Sequence, residues 1–135
     1  MTRRVLIVDD DEDSLAMMQA ALHYAGALVT AVPSAQKAFE TLNRVAPDVI
    51  VCDLRMPEVD GLGFARQLHE VPGLQRVPIL AVTGYDDLHA RQELHAAGFI
   101  GILRKPITFS DLVRTVAALA DSGESAGETP TGQDC

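Results

Sequence analysis

Cysteine is scarce in this chain of 135 residues: Cys52 sits inside an apolar run and Cys135 is the last residue. Two such positions make neither a disulfide framework nor a metal-ligand pattern. Basic residues are short too. Eleven Lys and Arg stand against nineteen Asp and Glu, a net charge of −8, which argues against a nucleic-acid surface built from clustered cations. The shortage is greatest in residues 121–135, which hold Asp121, Glu124, Glu128 and Asp134 and no Lys or Arg, half of the net charge. No apolar stretch approaches the length of a membrane span. The opening "MTRR" is followed by only four apolar residues before acids arrive, unlike a signal peptide. A cytoplasmic protein with no membrane or direct nucleic-acid partner is the expectation.

What is present is ordinary in bulk, with 47% hydrophobic and 22% charged residues, and suits one compact domain with a real core. Short apolar runs fall at residues 5–8, 27–32, 48–54, 77–83 and 99–103, mostly continuous rather than alternating, as in parallel strands buried on both faces. Between them lie helical stripes: Leu15, Met18, Leu22 and Ala25; Ala35, Ala38, Phe39 and Leu42; Leu62, Ala65 and Leu68; a thinner Ala90, Leu94 and Ala97; then Val113, Val116, Ala117 and Ala120. Ser34 and Asp86 or Asp87 suit helix N-caps, and Gly26 and Gly98 suit helix C-termini. The alternation predicts an α/β domain over 1–120, a doubly wound five-stranded parallel sheet flanked by five helices. Residues 121–135, rich in Gly, Ser, Thr and acids, read as a disordered acidic tail.

The stretch "VLIVDDDEDS" runs four apolar residues into five consecutive carboxylates, Asp9 to Asp13. Carboxylates about 4 Å apart repel by roughly 4 kcal/mol at an effective dielectric near 20. Asp11, Glu12 and Asp13 fall where the first helix begins, and its positive end favours acids. Asp9 and Asp10 end a strand instead. In an open parallel sheet, ligands collect at such strand ends, where Asp53, Thr83 and Lys105 also fall. A hard divalent cation such as Mg²⁺ would offset the crowding of Asp9, Asp10 and Asp53. A carboxylate can then attack phosphorus to form an acyl phosphate, with Lys105 and Thr83 meeting the phosphoryl oxygens.

Four blocks, "VLIVDDDEDS", "PDVIVCDLRMPEVDG", "VPILAVTGYDD" and "LRKPITFSDL", together resemble the response-regulator receiver domain of two-component signalling, over about residues 3 to 120. The resemblance is to the stand-alone, chemotaxis-regulator type and implies a flavodoxin-like fold. It implies Asp53 as phosphoacceptor, Asp9 and Asp10 as the acidic pair holding Mg²⁺, and the main-chain carbonyl of Arg55 as a further metal ligand. Thr83 would be the switch hydroxyl, Lys105 the lysine that pairs with the phosphoryl group, and Pro106 would follow a cis peptide bond. The implied donor is a phosphohistidine on a sensor histidine kinase or histidine phosphotransfer protein. Downstream proteins would dock on residues 86–120, and the chain would be a monomer or a weak phosphorylation-dependent dimer. It would catalyse its own aspartyl phosphorylation and dephosphorylation while acting primarily as a signalling switch.

Three positions depart from the usual pattern. Ile102 stands where the family often has an aromatic switch residue. Arg55 and Tyr85 flank the route of water to the phosphoryl group and predict slower self-dephosphorylation than small residues at both positions would give. Two other functions share parts of this pattern. A phosphorylation-independent pseudo-receiver typically lacks the acceptor, an acidic residue or the lysine, all present here. A small Mg²⁺-dependent aspartyl phosphohydrolase of haloacid-dehalogenase type carries its nucleophile after the first strand in a D-x-D arrangement. His23, His69, His89 and His95 share no metal-ligand spacing and read as surface or boundary residues; Cys52 reads as a buried, inert thiol.

Overall fold

Continuous apolar runs become the interior of a sheet with helices on both faces. The computed structural model of the chain describes residues 3–54, 60–84 and 88–124. Five strands, β1 (Arg4–Val8), β2 (Leu28–Val32), β3 (Val49–Asp53), β4 (Ile79–Thr83) and β5 (Phe99–Arg104), alternate with α1 (Glu12–Tyr24), α2 (Ala35–Leu42), α3 (Gly61–His69), α4 (Leu88–Ala97) and α5 (Phe109–Glu124). All pairings are parallel, in the order β2-β1-β3-β4-β5. The central β3 and β4 are buried along their whole length, whereas the edge strand β2 is largely exposed, with only Val32 buried.

Two cores result. Leu6, Val8, Ile50 and Cys52 face α2, α3 and α4, where Ala35, Ala38, Phe64, Ala65, Leu68, Leu94 and Ala97 meet them. Val5, Ile7, Val49 and Val51 face α1 and α5, which contribute Met18, Ala21, Leu22, Leu112, Val116 and Ala120. Ala25 is not in this stripe: it caps α1 and is exposed, and Ala21 takes its place on the buried face.

Helix ends follow side-chain chemistry. The Ser34 hydroxyl accepts from the Lys37 N–H at 3.2 Å, and the Asp60 carboxylate accepts from the Gly63 N–H at 2.8 Å. Gly26 and Gly98 have φ of 99° and 109°, the left-handed region that glycine enters without a Cβ penalty. The expected caps Asp86 and Asp87 lie outside the described residues. At the other end α5 runs to Glu124, past the expected boundary at 120. Arg3 Nη2 reaches both carboxylate oxygens of Asp121, at 2.9 and 3.1 Å, and ties the helix to the start of β1. Composition at 121 marked the end of the apolar face, not of the helix.

Between Ile79 and Leu80 the β4–β5 register slips, pairing Ile79 with Phe99 and Leu80 with Gly101. Ile100 is the extra residue and is half exposed. The bulge inverts the side-chain alternation, so Phe99 and Ile102, three apart, join one core while Leu103 joins the other.

Candidate functional site

The strand order reverses between β1 and β3, and the carboxyl ends of these strands carry Asp9 and Asp53. Asp9 follows β1, its N–H donating to the Val32 carbonyl at 3.1 Å, and is fully buried. Asp10 is exposed. Asp53 ends β3 and is 6% exposed; Thr83 ends the adjacent β4 and is 4% exposed. Lys105 is fixed by its N–H, which donates to the Thr83 carbonyl at 2.8 Å, and by the cis Lys105–Pro106 bond that turns the chain toward α5. Its Nζ stands 3.6 Å from Asp9 Oδ2 and 3.9 Å from Asp53 Oδ1.

The structure thus brings Asp9, Asp10, Asp53 and Lys105 together and sets Thr83 at the end of the strand paired with β3. Arg55, expected as a metal ligand, and Tyr85 lie outside the described residues. Among the described residues, Asp9, Asp10 and Asp53 each offer a carboxylate oxygen within 4.8 Å of the others.

Among the described residues, one buried side-chain oxygen is left without a hydrogen bond, and it belongs to Asp9. Asp9 Oδ1 accepts from the Asp11 N–H at 2.9 Å, but the buried Oδ2 accepts none. The Lys105 ammonium faces Oδ2 at 3.6 Å, beyond hydrogen-bond distance, so this buried oxygen keeps an unmet need for a closer positive partner. Burial is the main cause that raises the Asp9 pKa from 3.8 to about 6; the Asp53 charge adds to the rise, while the Asp11 N–H and Lys105 oppose it. An all-oxygen set of this kind, with one exposed member leaving room for water, fits a small hard cation such as Mg²⁺.

The neighbouring acids are settled differently. Asp11 is the N-cap of α1 and accepts from the Ser14 hydroxyl at 2.9 Å, which is the first cause of its lowered pKa. Glu12 and Asp13 fill the first turn. Cys52 is wholly buried, its Sγ 3.2 Å from the Asp53 carbonyl oxygen, and burial followed by the charges of Asp53, Asp9 and Asp60 pushes the thiol well above its ordinary range. His23 and His95 are exposed and His69 is half buried, in contact distance of the Gly98 turn; the His89 side chain lies outside the described residues.

Sequence reasoning missed Asp60 and Gly61, which start α3 directly against the end of β3. The signal available was the "DG" pair in "PEVDG", an N-cap acid followed by the smallest residue.

A flavodoxin-like α/β domain with an acidic pocket and a lysine at the switch point defines the class. The family model of the response regulator receiver domain matches residues 5–117, and the chain belongs to that family. It is 36% identical over 112 residues to an uncharacterized 14.6 kDa protein of Leptolyngbya boryana, covering 83% of this chain and 86% of that one. It is 33% identical to the transcriptional regulatory protein ZraR of Escherichia coli, covering 93% of this chain but spanning only 28% of that protein. Among solved structures, the Vibrio cholerae chemotaxis protein CheY4 superposes with a TM-score of 0.85 at 28% identity, over 88% of this chain and 99% of that one. The receiver domain of a Pseudomonas aeruginosa sensor histidine kinase, solved with magnesium in its active-site cleft, gives 0.82 at 28% identity, over 90% and 100%.

Proposed function

We propose that the chain is a phosphoacceptor switch: Asp53 takes a phosphoryl group from a phosphohistidine, with Mg²⁺ bound, and the phosphorylated form changes partner binding across residues 86–120. The donor is a sensor histidine kinase or a histidine phosphotransfer protein, the partners with which receiver domains work. The observation that carries this reading is the convergence of three carboxylates, with oxygens within 4.8 Å of one another, beside an ammonium 3.6 and 3.9 Å from two of them.

The residues that would hold Mg²⁺ are Asp9, Asp10 and Asp53 through carboxylate oxygens and Arg55 through its main-chain carbonyl. Bound there, the ion supplies positive charge against the carboxylates and the incoming phosphoryl oxygens. Asp53 supplies the nucleophile: one oxygen bonds to phosphorus as the phosphorus–nitrogen bond breaks and the imidazole leaves with the electron pair. The Lys105 side chain meets a phosphoryl oxygen, and the Thr83 hydroxyl meets another. The near-complete burial of Asp53 limits the approach of water to the acyl phosphate. Phosphorylation then shifts a balance between two conformers rather than forcing a new one. With Ile102 at the usual aromatic position, the shift is carried by Thr83 and its surroundings. The chain acts in the cytoplasm, as a monomer or a weak phosphorylation-dependent dimer.

Intact-protein mass after incubation with acetyl phosphate tests the reading. A gain of one phosphoryl group is expected with Mg²⁺, none with EDTA and none in Asp53→Asn. Absence of the gain, together with failure to bind beryllofluoride, would refute it.

A further inference from the structure

Where α3 begins, its first residue lies against the peptide that follows Asp53. A Cβ on Gly61 would stand 2.7 Å from the Asp53 carbonyl oxygen, 2.8 Å from Leu54 Cα and 2.9 Å from Leu54 Cδ2. Two of these three neighbours are main chain and cannot rotate aside. The contact is also bonded, since the Gly61 N–H donates to the Leu54 carbonyl at 3.1 Å. From the other side, the Leu54 N–H donates to the Val82 carbonyl of β4 at 3.2 Å. Leu54, with the Asp53–Leu54 peptide that lies against Gly61, is therefore held between β4 and the first turn of α3. That turn is itself anchored by the Asp60 cap on Gly63 and by the burial of Phe64, Ala65 and Leu68.

We propose that Gly61 is a positioning residue for the acceptor. Its missing side chain lets α3 close on the Asp53–Leu54 peptide, which sets where the Asp53 carboxylate stands relative to Asp9 and Lys105. The inference rests on the phosphoacceptor reading. A methyl group at 61 forces the peptide or the helix away until ordinary contact distance is restored, a displacement of roughly 0.5–1 Å; misplacement on the order of 1 Å is enough to slow a reaction about 10²-fold.

The test compares Gly61→Ala with Gly73→Ala. Gly73 has φ of +90° and open space around it, so alanine there strains the backbone at the opposite end of α3 without touching the site. Three quantities are read for each chain: melting temperature, Mg²⁺ affinity by calorimetry, and labelling rate against acetyl phosphate concentration. Both variants are expected to melt earlier. Only Gly61→Ala is expected to lose at least about tenfold in maximal labelling rate, with weaker Mg²⁺ binding. If Gly61→Ala does not fold, Asp60→Ala loosens the same turn without inserting an atom; it is expected to slow labelling, and Asp60→Asn, which keeps the cap oxygen, to restore it. Equal labelling and Mg²⁺ affinity in Gly61→Ala and Gly73→Ala, or parental behaviour of Asp60→Ala, would overturn the inference. A parent chain that neither binds Mg²⁺ nor accepts a phosphoryl group would overturn the phosphoacceptor reading itself, a result visible before any variant is made.

Discussion

Replacing Asp9 by Asn is expected to stabilise the fold at neutral pH while removing Mg²⁺-dependent phosphorylation. The carboxyl is fully buried, and burial chiefly, with the Asp53 charge, lifts its pKa from 3.8 to about 6. A carboxyl whose folded pKa exceeds its unfolded one binds more protons folded than unfolded. Its contribution is therefore most favourable below pH 3.8, declines as pH rises toward 6, and is a full penalty at pH 7. The interval of roughly 2.2 pH steps, at about 1.36 kcal/mol each, sets a ceiling of about 3 kcal/mol. Asparagine keeps an oxygen for the Asp11 N–H and removes the charge, but gives up the Lys105 ion pair at 3.6 Å. A net gain of about 1–2 kcal/mol at pH 7 is expected, shrinking toward zero near pH 4. Urea denaturation in EDTA at both pH values measures it. In the parent, saturating Mg²⁺ should recover a similar amount, about 2.7 kcal/mol at a hundred times its Kd, and in the Asn variant much less. The reasoning fails if the variant is no more stable than the parent at pH 7, or if its gain is the same at pH 4.

Three further outcomes are expected. Lys105→Met leaves Asp9 and Asp53 facing each other without their cation; loss of one partner from such a buried group is expected to cost on the order of 2–4 kcal/mol at pH 7, recovered in part by Mg²⁺ in a melting assay. Gly98→Ala combines a φ of +109° with a Cβ that would overlap the His69 ring, so it should destabilise by more than about 1 kcal/mol, and His69→Ala should relieve part of that in a double-mutant cycle. In a Cys135→Ser chain, Cys52 should react with a thiol reagent only after unfolding, because the buried thiol stays protonated; labelling of the folded protein would contradict its placement.

The central strands were legible because β1, β3 and β4 are covered on both faces, and continuous apolar runs are what such burial demands. Helix starts at Ser34 and in the acids before α1 were legible for a local reason, since a cap needs only residues within one turn. Phe64 and Leu112, both fully buried, escaped the periodic stripes because each adjoins another apolar residue, Ala65 and Val113, and the stripe can be drawn through either neighbour. The β5 bulge could not be read at all. "FIGIL" is compatible with either side-chain alternation, and only pairing against β4 ejects Ile100.

For the site, the residue types at strand ends were the sequence's own statement: two acids after β1, one after β3, a hydroxyl after β4 and a lysine after β5. Chain order and hydrophobic pattern place strand ends without reference to distance, and an acid at the end of an apolar strand needs a reason beyond packing. Tertiary structure decided what distance decides. It paired Lys105 with both Asp9 and Asp53, left Asp9 Oδ2 buried without a hydrogen bond, and divided the acids between a pocket and a helix cap. It also set Gly61 against the Asp53–Leu54 peptide and His69 against Gly98. A clearance of this kind belongs to two segments brought together by the fold, and neither segment carries it alone.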